Sequence, residues 1–167
     1  MIFRLSEKLS TQVKVVSLAA LPLDDNPYAD WSARIFLVSR TKYLIVTNTK
    51  SLYSTVMYAK GINSENEFVG RALGGIREFM DDDGQQLVYD RFIAPASSSV
   101  RFGKTLSRTV TGSMNDLIFH ATMWLTDGKS PHDVGFKLND IPFSWLMAAG
   151  KPYGQPRKVF KEMLVQA

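Results

Sequence analysis

The stretch from Trp31 to Tyr58 constrains the fold more than any other, because it carries strand periodicity twice in succession. Trp31, Ala33, Ile35 and Leu37 alternate with Ser32, Arg34, Phe36 and Val38, the period of two that sends neighbouring side chains to opposite faces of a sheet. After a polar break of hairpin length, Ser39-Arg40-Thr41-Lys42, the run Tyr43-Leu44-Ile45-Val46-Thr47 is β-branched and apolar on both faces. A strand of that kind needs cover on both sides, so it is expected at the centre of a sheet. Asn48-Thr49-Lys50 then turns the chain into Leu52 to Tyr58. These residues predict a three-stranded meander over 31–58, and with it a small, mainly antiparallel sheet for the rest of the chain to pack on.

The flanking segments read mostly as helices. Ile2 to Leu5 is a short strand, and Ser6 caps a turn or two of helix with Leu9 and Val13 on one side. Leu21 to Ala29, with Pro22 and Pro27, is a loop. Ser64 and Glu67 form a capping box that satisfies free N–H groups of a first turn. Phe68, Ala72, Ile76 and Phe79 follow at helical spacing. Gly70, Gly74 and Gly75 each weaken that helix by about 1 kcal/mol relative to alanine, so it relies on tertiary packing, and its small residues let a neighbour come close. The acidic run Asp81-Asp82-Asp83-Gly84 ends it. Gln85 to Phe92 fits helix and strand alike, Ala94 to Ser99 is a loop, and Val100 to Lys104 alternates like a strand. Ser113 is expected to cap a helix through Thr126, with Met114, Leu117, Ile118, Ala121, Trp124 and Leu125 as its buried stripe and Gly128 closing it. Pro131 and Pro156 each open a further helix, the last with Val159, Phe160, Met163 and Leu164 inward. No repeat, low-complexity tract or long linker divides the chain, so residues 1–167 are expected to form one α+β domain.

At 167 residues and 45% hydrophobic content, such a domain buries roughly 70% of its unfolded-chain surface. The absence of cysteine removes disulfides, thiolate catalysis and cysteine-ligated zinc, and the two histidines, His120 and His132, leave little for a histidine-rich centre. Neither a metal nor a cofactor is expected: the phosphate-loop lysine and the Gly-x-Gly-x-x-Gly of a dinucleotide site are both missing. The residues Met1 to Lys8 meet charge early, unlike a signal peptide, and no segment approaches the ~18 apolar residues of a membrane span. The expected setting is cytoplasmic, with no membrane partner.

The net charge of +4 is modest, but its distribution is segregated. Trp31 to Ser64 holds no acid against Arg34, Arg40, Lys42, Lys50 and Lys60, and Arg91 to Asn115 holds none against four cations. Between them, Glu65 to Asp90 is acidic. Segregation of this kind creates a field that attracts anions, unless folding intermingles the charges.

Several constellations carry chemistry. In Ser107 to Asp116, Gly112 permits a turn, the N–H groups after it carry partial positive charge, and Arg108 adds a cation able to grip a phosphate or carboxylate. The same residues also serve as a staple if Ser113 caps with Asp116 in support and Arg108 pairs with a carboxylate. Asp116 and His120 share a helix face and form an acid–base pair in principle, although His120 abuts Phe119 and Trp124 as a boundary histidine would. Asp81-Asp82-Asp83-Gly84 lacks the spacing of an EF-hand and reads as a solvated helix end. Ser113 lacks the Gly-x-Ser-x-Gly elbow of a nucleophile. Trp31, Phe36, Tyr43, Tyr53 and Tyr58 in the basic meander fit either a core or a base-stacking platform for nucleic acid.

Arg108, Val110, Gly112, Ser113, Met114, Asn115 and Asp116 fit a pattern Arg-Ser-Val-any-Gly-Ser-Met-Asn-Asp, with Thr109 where that pattern has Ser. In this segment, in Trp31-Ser32-Ala33 through Arg40-Thr41-Lys42 to Thr47-Asn48-Thr49-Lys50-Ser51-Leu52, and in Leu138-Asn139-Asp140-Ile141-Pro142, the chain resembles a family of small, mostly bacterial proteins classed as a domain of unknown function. The resemblance implies an α+β fold and a bacterial or phage setting, and it brings no activity. The leading expectation is a non-enzymatic binding or regulatory protein that engages an anionic partner through Arg108, Gly112, Ser113, Asn115 and Asp116. The alternatives are a hydrolase of a phosphate or acyl substrate using Asp116 and His120, and a nucleic-acid-binding protein using the basic meander.

Overall fold

The computed structural model describes residues 1–147 and 150–166. In chain order the elements are β1 (Ile2–Leu5), α1 (Glu7–Gln12), β2 (Asp30–Val38), β3 (Thr41–Asn48), β4 (Ser54–Tyr58), α2 (Glu65–Asp82), α3 (Gln86–Val88), β5 (Arg101–Gly103), α4 (Arg108–Thr126), α5 (Pro131–Leu138) and α6 (Pro156–Glu162). The meander forms as its periodicity dictates, with Ile35 opposite Leu44 and Ile45 opposite Val56. The sheet order is β4-β3-β2-β1-β5, and β1 runs parallel to both β2 and β5. The fold is α+β. Its sheet is mixed: the antiparallel meander carries most of the register pairs, and two short strands from distant parts of the chain add two parallel pairings. The doubly apolar β3 is interior, although the middle place belongs to β2.

The period of two in β2 divides the apolar side chains between two cores. Trp31, Ala33 and Ile35 join Phe3 and Leu5 of β1 in a core with Leu9 of α1, Phe68, Ala72, Ile76 and Phe79 of α2 and Phe160 of α6. Phe36 and Val38 join Ile45 and Val56 in a second core, closed by Val110, Met114, Leu117, Ala121 and Leu125 of α4 with Val134 and Leu138 of α5. On the first face, the end of the Met57 side chain of β4 rests against Gly75 of α2, where a Cβ would displace it. Ser64 caps α2 through Glu67 N at 3.2 Å, while the Glu67 carboxylate reaches back to Asn63 N at 2.7 Å.

Polar side chains finish what the backbone leaves open. Asn48 Oδ1 accepts from Ser51 N at 3.0 Å and Ser51 Oγ at 2.8 Å, which holds the turn between β3 and β4. That turn keeps Leu52 at φ +63°. The left-handed region costs an L-residue roughly 1–2 kcal/mol, which full burial of the leucine offsets by about 1.5–3 kcal/mol. On the outer edge of β4, Asn139 imitates a further strand: its Oδ1 accepts from Ser54 N at 2.7 Å and its Nδ2 donates to Ser54 O at 2.9 Å. The cost of an open, buried edge is thereby avoided.

Three expectations about local structure change. Asp83 is no solvated helix end: its side chain is largely shielded, accepts from Tyr53 Oη at 2.6 Å and pairs with Arg157, which also reaches Asp140. The segment Gln85 to Phe92 resolves as the turn of α3 followed by a π turn over Tyr89–Ile93. Phe160 within α6 and Met163 just after it are buried, but a 3₁₀ turn over Met163–Gln166 rotates Leu164 outward to 40% exposure. No described helix is long and apolar enough to cross a membrane.

Candidate functional site

The face of β2 that meets α4 changes character along its length, from Asp30, Ser32 and Arg34 to Phe36 and Val38. β1 adds Arg4, paired in register with Ser32. The apolar half of this face is covered by α4, whose buried stripe can only be satisfied there. The polar half stays open as a cleft of about 220 Å³, lined by Arg4, Ser6, Glu7, Ser32, Arg34, Thr105, Thr111 and Met114 among others. It sits where the parallel strands β1 and β5 end and where a serine starts a helix after each, Ser6 for α1 and Ser107 for α4.

The two arginines of this cleft are in opposite states. Arg4 is buried, and its guanidinium is fully used: Nε and Nη2 donate to the two Asp30 carboxylate oxygens at 2.8 Å each, and the remaining donors reach Leu21 O, Pro22 O and Lys104 O. Arg34 is half-buried, and burial pushes its guanidinium down from the usual arginine range. Its Nη1 donates to Asn115 Oδ1, a neutral amide. No carboxylate pairs with it among the described residues, so its charge is left uncompensated at the mouth of a cleft. Ser32, whose hydroxyl lies 2.8 Å from Thr49 Oγ1, and the threonines Thr105 and Thr111 supply the neutral wall, while Glu7 is the one carboxylate of the lining.

The expected turn at Gly112 is part of the helix. Ser107, not Ser113, caps α4, accepting from Val110 N at 3.3 Å, and the helix runs through Gly112 without a break. The reason is a matter of size: a helical glycine costs about 1 kcal/mol, whereas burying Val110 and Met114 on the same turns returns about 1.5–3 kcal/mol each. The donors left open by the first turn are therefore the N–H groups of Arg108 and Thr109, not those after Gly112. Ser113 lies mid-helix and buried, where its hydroxyl donates to Thr109 O at 2.9 Å and accepts from Trp145 Nε1. Gly112 is exposed, and a Cβ there would meet nothing within 4 Å.

The remaining predicted site residues separate. Arg108 is exposed on the first turn of α4, Asn115 is brought to Arg34, and Asp116 is exposed. His120 is half-buried with Phe119 and Trp124 at ring distances of 5.7 and 5.6 Å, and no ion pair joins it to Asp116. Neither residue lines the cleft. Among the described residues no group of three His, Cys, Asp or Glu side chains is placed to hold a metal. Four of the five aromatic residues considered for base stacking, Trp31, Phe36, Tyr43 and Tyr53, are core, and Tyr58 alone is half-exposed. Sequence reasoning counted Arg34 among the cations of the meander but did not single it out as a candidate for this cleft. The signal was present in Asp30, Ser32 and Arg34, three polar residues in succession on one face of a strand.

The family model described as Domain of unknown function (DUF6933) matches residues 2–159, and the chain belongs to that family. No curated protein matches it.

Proposed function

We propose that this DUF6933 member is a non-enzymatic binding or regulatory protein that takes an anionic group of its partner in the cleft at the start of α4. One observation carries the reading: Arg34 is half-buried, turned down by desolvation and bonded only to a neutral amide. A desolvated cation without a counter-charge gains from an anion, which restores the interaction that water no longer supplies. The open N–H groups of Arg108 and Thr109 and the positive end of a 19-residue helix add to the same field. Thr105 in the lining adds a hydroxyl donor, whereas the Thr111 hydroxyl already donates to Ser107 O. Glu7 opposes a second negative charge, which favours a single phosphate or carboxylate group over an extended polyanion.

The test is thermal stabilisation by phosphate in wild type, Arg34→Gln and Arg108→Ala at low ionic strength. Phosphate should raise the wild-type midpoint, leave Arg34→Gln unmoved and have an intermediate effect on Arg108→Ala. Added salt should weaken all of it, since screening acts over about 10 Å at 0.1 M. A shift in Arg34→Gln equal to that of wild type would end the reading.

A further inference from the structure

A second basic surface lies at the other end of β2 and is chemically unlike the first. Phe36, Tyr43 and Tyr58 are register partners across β2, β3 and β4. Their rings follow one another with centroids 5.6 and 5.3 Å apart and planes inclined by only 28° and 30°. The first two rings are buried, whereas Tyr58, on the edge strand, is 53% exposed. The ladder therefore ends on an open ring.

At the same end of the strands a cleft of about 460 Å³ is lined by Leu37, Arg40, Thr41, Lys42, Tyr58 and Lys60; Leu37 and its register partner Lys42 project from the face opposite the ladder, and Tyr58 of the edge strand is shared by ladder and cleft. Leu37 is also 53% exposed. Three cations line this cleft and no carboxylate does, and none of the three forms an ion pair among the described residues; Lys42 Nζ donates only to Gln12 Oε1. Arg40 sits at the tip of a two-residue hairpin turn in which Ser39 and Arg40 hold φ of +48° and +70°. This turn type matches the twist of the flanking strands, so the guanidinium is mounted on a rigid corner. A small anion has no use for a ring and an exposed leucine, and an apolar partner has none for three uncompensated cations. A base attached to a phosphate backbone uses both.

We propose that this edge of the sheet binds single-stranded nucleic acid, one base stacking on Tyr58 as the next rung of the ladder while the backbone crosses the β4 edge and its phosphates are held by Arg40, Lys42 and Lys60. The site stands independently of the α4 cleft, with which it shares no lining residue. The experiment is fluorescence anisotropy with a labelled single strand of about ten nucleotides, within the usual span of such sites, and with the corresponding duplex. Wild type should bind the single strand in preference at low salt. Tyr58→Phe should keep that affinity, and Tyr58→Leu should lose about five-fold or more, the range for one stacked base. The double variant Lys42→Gln/Lys60→Gln should flatten the log–log salt dependence by about 1.4, or about 0.7 for each phosphate that is no longer neutralised. Arg34→Gln should change nothing. Equal affinity for duplex, unchanged binding in Tyr58→Leu, or no binding at low salt would each overturn the assignment.

Discussion

Arg4 and Arg34 stand on the same face of the same sheet and line the same cleft, yet one belongs to the frame and the other to the surface chemistry. Arg4 has a carboxylate on two of its nitrogens and backbone carbonyls on the rest, all out of water. Arg34 has a neutral amide. The difference teaches that a buried charge is read from its partners rather than from its burial. A complete set of partners fixes geometry and leaves nothing for a ligand, whereas an incomplete set beside open space leaves interaction energy for something else to collect.

The largest expected effect would break this comparison most cleanly. Asp30→Ala strands the Arg4 guanidinium and the Asp24 N–H that the same carboxylate accepts at 3.0 Å, and should cost about 3–5 kcal/mol in urea unfolding. Arg34→Gln should cost less than about 1 kcal/mol, because its only bond is partly exposed. Similar costs for the two would dissolve the distinction. Asn139→Ala sharpens the frame side: with Ser54 N and O unpaired at a buried edge, about 1–3 kcal/mol should be lost.

An alkaline transition tests the frame from another side. Burial pushes the Tyr28 hydroxyl up to about 12, and the same cause drives Tyr53 upward. The folded state thus holds these protons more tightly than the unfolded chain. Their contribution is complete below about pH 10 and is lost as pH rises towards the folded-state value. Urea midpoints across that interval should fall in wild type and fall less in Tyr28→Phe, which gives up about 1 kcal/mol at neutral pH with its bond to Phe160 O. A variant with the wild-type slope would show that Tyr28 is not the titrating group. The smallest effect is a gain: Gly112→Ala should stabilise by about 0.5–1 kcal/mol, since the position is helical and open. A loss there would mean that the α4 face meets something in the folded protein.

The parts of this fold that are legible in the sequence are those in which the deciding partners are local. The meander follows from an alternation within β2 and β3, and Ser6 and Ser64 are recognisable as caps because one serine precedes one apolar pattern. At α4 two serines, Ser107 and Ser113, precede the same pattern, and Gly112 reads as a breaker where burial of Val110 and Met114 outweighs it. The pairing of β1 with β5 and the edge cover by Asn139 join residues far apart in the chain, which no local period reports. The same holds for the candidate site. Arg34 becomes a candidate only through its partners: Asp30, four residues before it, is taken by Arg4, and the neutral Asn115 comes from a helix 81 residues away.

The most direct measurement follows the arginine side-chain Nε–Hε signals by ¹⁵N NMR as phosphate is added at low ionic strength. With Arg34 uncompensated and Arg4 satisfied, the Arg34 signal should move and saturate, Arg108 should move less, and Arg4 should stay where it is. An Arg34 signal that does not respond to phosphate, or an Arg4 signal that shifts alongside it, would contradict the division between frame and site.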